Sequence, residues 1–393
     1  MASSYQNIVI IGPAYPLRGG LRSFNERLAR EFMSHGSTVS IYSFALQYPG
    51  FLFPGTTQYT TEPAPAGLDI HNRINSVNPF NWLSVGRELK KVRPDLVVVR
   101  YWLPFMGPCL GTILRIIKKN RHTRIVCIAD NILPHEKRFG DRWFTRYFIK
   151  PADAFITMSE KVMQDLRLFT KDKPARQVVH PLYDNFGEII SQEEARKQLH
   201  IETGDRIVLF FGFIRKYKGL DILLEAMKLL KEVPLQEVRQ DENLPQLTHI
   251  KLLVAGEFYE DKKLYDDLIS RLDIQDSLIL HTDFIPDAEV RNYLCAADVL
   301  VQPYRSATQS GVTPLAYHFE LPMIVTNVGS LPSLITDGRS GLVAEPNAPS
   351  IAERINVYFE KGREYFLPGL REEKKRFSWT KLTETILEVA NSK

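Results

Sequence analysis

The chain has 393 residues, of which 44% are apolar and 24% charged, the make-up of a folded, water-compatible protein long enough for two domains. Its 50 basic and 46 acidic side chains leave a formal charge of +4, too small an excess to call for nucleic acid, and no zinc-finger or RNA-binding signature is present. The three cysteines, Cys109, Cys127 and Cys295, lie far apart without CxxC or Cys/His spacing, which excludes a zinc site and predicts buried, reduced thiols.

The chain opens on MASSYQNIVIIG, with no basic segment leading into a long apolar one, and no stretch reaches the ~20 apolar residues of a membrane helix. The expectation is a cytoplasmic protein that meets a membrane only from its surface. Short apolar runs then alternate with helical patterns, which predicts parallel sheets built from βαβ units. In the first half strands are expected at 8–11, 39–43, 96–99, 125–128, 154–157 and 177–180. Helical spacing falls at 22–35, where Gly36 is the stop signal, and at 82–92 and 107–119. Residues 50–70, rich in Pro, Gly and Thr, read as a loop. The pattern breaks at 183–201 and restarts, with strands expected at 207–211, 251–254, 278–281, 299–302, 323–326 and 341–343. The helices between and after them are expected at 220–232, 262–272, 287–296, 313–319, 350–361 and 380–390, with a surface insert at 234–247. Two α/β halves of about six strands each follow. In such sheets ligands sit at the carboxyl ends of the strands, and two halves facing each other place a ligand between them.

Five segments at strand ends carry chemistry. A loop with paired glycines, Gly19 and Gly20, runs from the first strand into a helix next to Arg18, so a phosphate could approach bare backbone at the positive end of a helix. The alternative is a plain strand-to-helix turn. The segment from Phe210 to Asp221 packs Arg215, Lys216 and Lys218 just before a helix. Arg can fork onto two phosphate oxygens and Lys supplies a point charge, so together they could hold a leaving diphosphate; the alternative is a solvated basic loop. The run from Pro303 to Pro314 offers Thr308, Gln309, Ser310 and Gly311 to phosphate or ribose, or caps a helix. Asp130 to Glu136 brings His135, either an acid/base group or a structural hydrogen-bonder. Asp283, Phe284, Ile285 and Pro286 could hold a base edge with their backbone. Elsewhere Arg115, Lys118, Lys119, Arg121, His122 and Arg124 form a basic cluster, either a solvated helix end or a contact for an anionic membrane.

The order of these stretches resembles the family-4 retaining glycosyltransferases, along nearly the whole chain. The resemblance is carried by Gly212 to Gly219, Asp283 to Asp287, Ala297 to Tyr304, Leu321 to Thr326, Gly329 to Pro332 and Asp337 to Val343. The Gly19-Gly20 loop and Phe377-Ser378-Trp379 match too. It implies the GT-B fold: an acceptor-binding Rossmann-like domain over 1–185, a nucleotide-sugar-binding one over 186–375, and a helix over 376–393 that returns to the first domain. It also implies transfer of a sugar from a UDP or GDP sugar to a glycan or lipid-linked acceptor with retention of configuration, in bacterial envelope glycan synthesis, with no metal and no further cofactor. Arg215 and Lys218 would bind the donor diphosphate, Gly19 and Gly20 the donor phosphates or the acceptor. His135 would lie near the transferred sugar, Phe284 and Ile285 near the base, and Thr308, Gln309, Ser310 and Gly311 at the donor.

Two departures stand out. The family often carries Glu-x7-Glu between the Pro-Tyr strand end and the Leu-Pro-Met strand; here 306–319 holds no acid, with Ala307 or Thr308 and Leu315 or Ala316 at the two places. Phe213 occupies the usual site of the arginine, and Arg215 stands three residues before Lys218. These departures keep open a catalytically degenerate sugar-nucleotide binder, which the retained Arg215, Lys218 and His135 oppose. An epimerase of the same fold would need acid/base carboxylates at the site. A nicotinamide dehydrogenase would need the missing GxGxxG.

Overall fold

The computed structural model describes residues 5–50, 57–133, 140–232, 250–307 and 310–392. By its internal contacts the chain divides into two units, Met1–Pro181 with Ser378–Lys393, and Leu182–Phe377.

The first unit is built on a parallel sheet of seven strands: β1 (Asn7–Ile11), β2 (Thr38–Leu46), β3 (Asp69–Asn75), β4 (Leu96–Tyr101), β5 (Arg124–Ala129), β6 (Ala154–Thr157) and β7 (Ala175–Gln177). Their order is β3-β2-β1-β4-β5-β6-β7, so the direction of winding reverses between β1 and β4. Every residue of β4 and β6 is buried, as helices on both faces require, which is why these strands read as unbroken apolar runs. The covering helices are α1 (Gly20–Ser34), α2 (Pro79–Val92), α3 (Gly107–Lys118), α4 (Asp141–Ile149) and α5 (Glu160–Arg167). The three cysteines are free and buried.

The second unit begins with α6 (Gln192–Gln198). Its six strands are β8 (Arg206–Phe211), β9 (Ile250–Ala255), β10 (Leu278–His281), β11 (Val299–Gln302), β12 (Met323–Thr326) and β13 (Gly341–Ala344). The order β10-β9-β8-β11-β12-β13 is again all parallel, with the reversal between β8 and β11. Helices α7 (Leu220–Glu232), α8 (Lys263–Leu272), α9 (Val290–Ala296), α10 (Val312–His318), α11 (Ala348–Lys361) and α12 (Arg363–Lys374) complete it.

The last helix, α13 (Trp379–Asn391), belongs to the first unit. Ser378 caps it by accepting from the Lys381 amide. Its Leu382, Ile386, Val389 and Ala390 form one buried stripe. Trp379 lies 4.9 Å from the Phe24 ring, and Arg124 donates to the Ala390 and Ser392 carbonyls at 2.8 and 2.7 Å.

Three expectations change. The first sheet has seven strands rather than about six, because the polar, half-buried segment DIHNRIN adds an edge strand beside β2 where no strand was expected. The short strand expected at 177–180 is instead Ala175–Gln177, which leaves His180 beyond the sheet. Helices α4, α5, α6 and α12 escape the sequence reading; α12 carries Pro368 in its interior, normally a helix-ending signal. The insert at 234–247 lies outside the described residues.

Candidate functional site

The second unit's best-furnished surface is at the carboxyl ends of β8, β9, β10 and β11. β8 ends at Phe211, and Gly212 (φ +94°) turns the chain out of the sheet. The loop runs beside the one after β9. The Ile214 amide donates to the Glu257 carbonyl at 2.8 Å and the Tyr259 amide to the Ile214 carbonyl at 3.0 Å. The two loops zip closely because Gly256 faces Gly212; a Cβ on Gly256 would stand 2.5 Å from the Gly212 oxygen. The β10 loop joins the same edge, with the Gly256 amide donating to the His281 carbonyl at 2.9 Å.

This stem presents the cations. Arg215 is extended and exposed, its guanidinium carbon 5.0 Å from the centre of the Tyr259 ring, and the Phe213 ring packs tilted against Tyr259 at 4.3 Å between ring centres. Lys216–Lys218 form one tight turn, and Gly219 (φ +69°) closes it onto the start of α7. Gly219 has no room for a side chain, since a Cβ would fall 2.0 Å from the Pro303 oxygen. This close approach draws Lys218 inward. Its side chain is buried, its Nζ 5.8 Å from the centre of the Tyr304 ring and 3.1 Å from where a Cβ on Gly212 would stand. Neither Lys218 nor Arg215 has an ion-pair partner among the described residues. Burial, reinforced by the neighbouring charge of Arg215, lowers the Lys218 ammonium to about 7. A buried cation with no counter-ion among the described residues, close to the positive end of α7, is an unfavourable arrangement that an arriving anion relieves.

The β11 loop lies alongside. The Arg305 amide donates to the Tyr217 carbonyl at 2.7 Å, and its guanidinium pairs with Asp221 in the first turn of α7 at 2.5 Å. Val312, the first residue of α10, lies 3.7 Å from the same point on Gly212. The Ser310 hydroxyl is occupied: it donates to Gln302 Oε1 at 2.6 Å and accepts from the Val312 amide at 3.2 Å. Gln302 in turn bonds Thr313. Gly311 is exposed and leaves backbone for a ligand. Phe284 and Ile285, in the loop after β10, are half-buried, and His281 at the end of β10 shares a hydrogen bond of 3.0 Å with Tyr293. The fold therefore brings Arg215, Lys218, Phe284, Ile285, Ser310 and Gly311 to one edge of one sheet. His135, Thr308 and Gln309 lie outside the described residues.

In the first unit, Gly19 (φ +99°) opens α1 with no side-chain cap, and no atom comes within 4 Å of where its Cβ would be. The preceding turn is braced by Asn25, which donates to the Pro13 carbonyl at 2.8 Å, and by Glu26, which accepts from the Tyr15 amide at 2.8 Å. At the reversal point Arg100, near the end of β4, makes a two-pronged bond to Asp130 at 2.6 and 2.6 Å, both side chains buried. Its guanidinium lies 3.7 Å from the centre of the Phe24 ring. His180 packs edge-on against Phe24, and burial together with the Arg100 charge lowers it to about 4, so the ring is neutral and Nδ1 donates to the Pro181 carbonyl at 2.8 Å.

Sequence reasoning missed Glu257 and Tyr259, the Gln302 network, the Arg305–Asp221 pair and the Arg100–Asp130 pair. Glu257, a buried carboxylate directly after a positive-φ glycine at a strand's carboxyl end, could have been found by the rule that exposed the Lys218 loop. Among the described residues no cluster of His, Cys, Asp and Glu could hold a metal ion.

Known proteins match this architecture along the chain. Residues 18–182 match the family model for glycosyltransferase family 4, and residues 191–374 that for glycosyl transferases group 1. The chain belongs to this glycosyltransferase family. A D-inositol 3-phosphate glycosyltransferase of Thermobifida fusca is 25% identical over 84% of this chain and 78% of its own. A putative teichuronic acid biosynthesis glycosyltransferase, TuaC of Bacillus subtilis, is 25% identical over 58% of this chain and 52% of its own. The solved Anabaena HepE in complex with UDP and glucose shares the fold with a TM-score of 0.69 at 14% identity, over 97% of this chain and 98% of that one.

Proposed function

We propose that this glycosyltransferase moves a sugar from a nucleoside diphosphate sugar, a UDP or GDP sugar, to a glycan or lipid-linked acceptor. The observation that carries the reading is Lys218: a buried ammonium, lowered by burial, paired to no carboxylate among the described residues, at a strand end beside Arg215. The bond from the sugar's anomeric carbon to the diphosphate breaks, and negative charge gathers on the leaving oxygens. Lys218 and Arg215 stabilise that charge more than they stabilise the intact donor, which is the requirement for lowering a barrier. The acceptor oxygen bonds the anomeric carbon, and its proton passes to the departing diphosphate on the same face, so configuration is retained. Phe284 and Ile285 hold the base, Gly19 and Gly20 meet the phosphates or acceptor, and Thr308, Gln309 and Gly311 supply hydrogen bonds where the family has its glutamates. The family resemblance makes His135 the candidate partner of the transferred sugar. Two side-chain cations supply the charge that a divalent ion would, so the reaction needs no metal. The UDP complex of HepE supports a nucleotide donor, and the TuaC name supports envelope polysaccharide as the setting.

The lack of acidic residues in 306–319 favours a second reading, a donor-binding protein without turnover. A thermal-shift screen with UDP, GDP, ADP and their sugars identifies the nucleotide, because a ligand of the native state raises apparent stability by mass action. Release of the diphosphate on adding acceptor extract then separates the readings. Binding without release under any donor supports the second, and no nucleotide binding refutes both.

A further inference from the structure

Helix α4 presents three aromatic rings to solvent. Trp143 is 69% exposed, Phe144 40% and Tyr147 39%, next to one another at helical spacing. Arg142, Arg146 and Lys150 are exposed on the same short stretch, four residues apart in turn. Tyr147 is held in place by α3: Arg115 lies flat on its ring at 3.6 Å and donates to its carbonyl at 2.6 Å, while Thr112 bonds its hydroxyl at 3.0 Å. Beside Lys150 opens a pocket of about 400 Å³ lined by Arg115, Lys118, Lys150, Asp153 and Lys173. Asp153 offsets Lys118 at 3.0 Å, and Lys173 caps the end of α4 through the carbonyls of Ile149, Lys150 and Ala152. Among the described residues Arg115, Lys150 and Lys173 have no carboxylate partner.

We propose that this face of α3 and α4 docks the protein on a bilayer carrying anionic phospholipid. Aromatic rings with cations on one short helix are the chemistry of a membrane interface: the rings enter at headgroup depth while the cations meet lipid phosphates. Charge complementarity selects the occupant, since the patch is cationic and a lipid surface supplies both apolar depth and negative charge. The proposal does not depend on the transfer reaction, and its test needs neither donor nor acceptor. It shares Arg115 and Lys118 with the basic cluster read in the sequence and leaves out members committed internally: Arg124 to α13 carbonyls and His122 to Asp95 at 2.8 Å.

The test is co-sedimentation of the full chain with phosphatidylcholine vesicles, with and without phosphatidylglycerol. The wild type pellets with the anionic vesicles and is released by salt. Trp143→Ser with Lys150→Glu weakens binding by about tenfold or more at an unchanged melting temperature; Arg146→Glu, at an exposed position, serves as a second variant. Equal binding to neutral vesicles, or equal binding by the variants, overturns the proposal. So does full competition by inorganic phosphate, which would mark a pocket for a soluble anion. A wild-type dimer abolished by the same substitutions would assign the face to a second copy instead.

Discussion

Lys218 couples donor binding to pH. Its ammonium titrates at about 7 rather than its ordinary 10.5 because it is buried beside Arg215. An arriving diphosphate favours the charged form and raises that value, so above pH 7 binding must draw a proton from solution. Linkage then makes affinity fall as pH rises, by up to about tenfold per pH unit. Between pH 7 and 8.5 the protonated fraction of free Lys218 falls from about one half to about 3%, so donor affinity should drop on the order of tenfold, or ~1.5 kcal/mol. The assay is calorimetric titration with the best-binding sugar nucleotide in two buffers of different ionisation enthalpy. Protons taken up per ligand should rise from about one half toward one across that range. Lys218→Met should bind more weakly and show neither the uptake nor the slope. A flat affinity with no proton uptake in the wild type would mean that Lys218 does not face the diphosphate.

The same burial costs stability. The folded value lies below the unfolded one, so the unfolded chain binds the extra proton; the penalty is fully present below about pH 7 and fades as pH rises toward 10.5. Lys218→Met should therefore raise the melting temperature, by more at pH 6 than at pH 9, as scanning calorimetry would show. Gly219→Ala puts a Cβ 2.0 Å from the Pro303 oxygen at φ +69°, and should cost at least about 1–3 kcal/mol in denaturant unfolding and loosen donor binding with it. Asp130→Asn leaves the Arg100 guanidinium buried without its charge partner and should destabilise the first unit by about 3–5 kcal/mol, visible as a lower urea midpoint.

Both sheets were legible in the sequence because strands buried on both faces, such as LVVVRY, read as continuous apolar runs with turns at their ends. β3 was not, since an edge strand pairs on one side only and can carry Asp, His, Asn and Arg. α12 hid behind Pro368. At the candidate site the cations and the glycines were visible as letters, but their consequence was not. Gly212 and Gly219 let strands and loops approach until Lys218 is enclosed, and enclosure is set by neighbours distant in sequence: Tyr304, Pro303 and Val312. For the same reason Ser310 looked available in the sequence, whereas its hydroxyl is spent on Gln302, eight residues away on β11. Arg100 and Asp130 are 30 residues apart in sequence and meet only because β4 and β5 are neighbours in the sheet.

The most direct measurement of the central claim is release of nucleoside diphosphate from the bound sugar nucleotide, followed in wild type and Arg215→Ala with the acceptor fraction present. The account predicts turnover by the wild type and a loss of about 10²-fold or more in the variant, on the scale of removing one group that stabilises the leaving charge. Turnover that survives Arg215→Ala unchanged would contradict it.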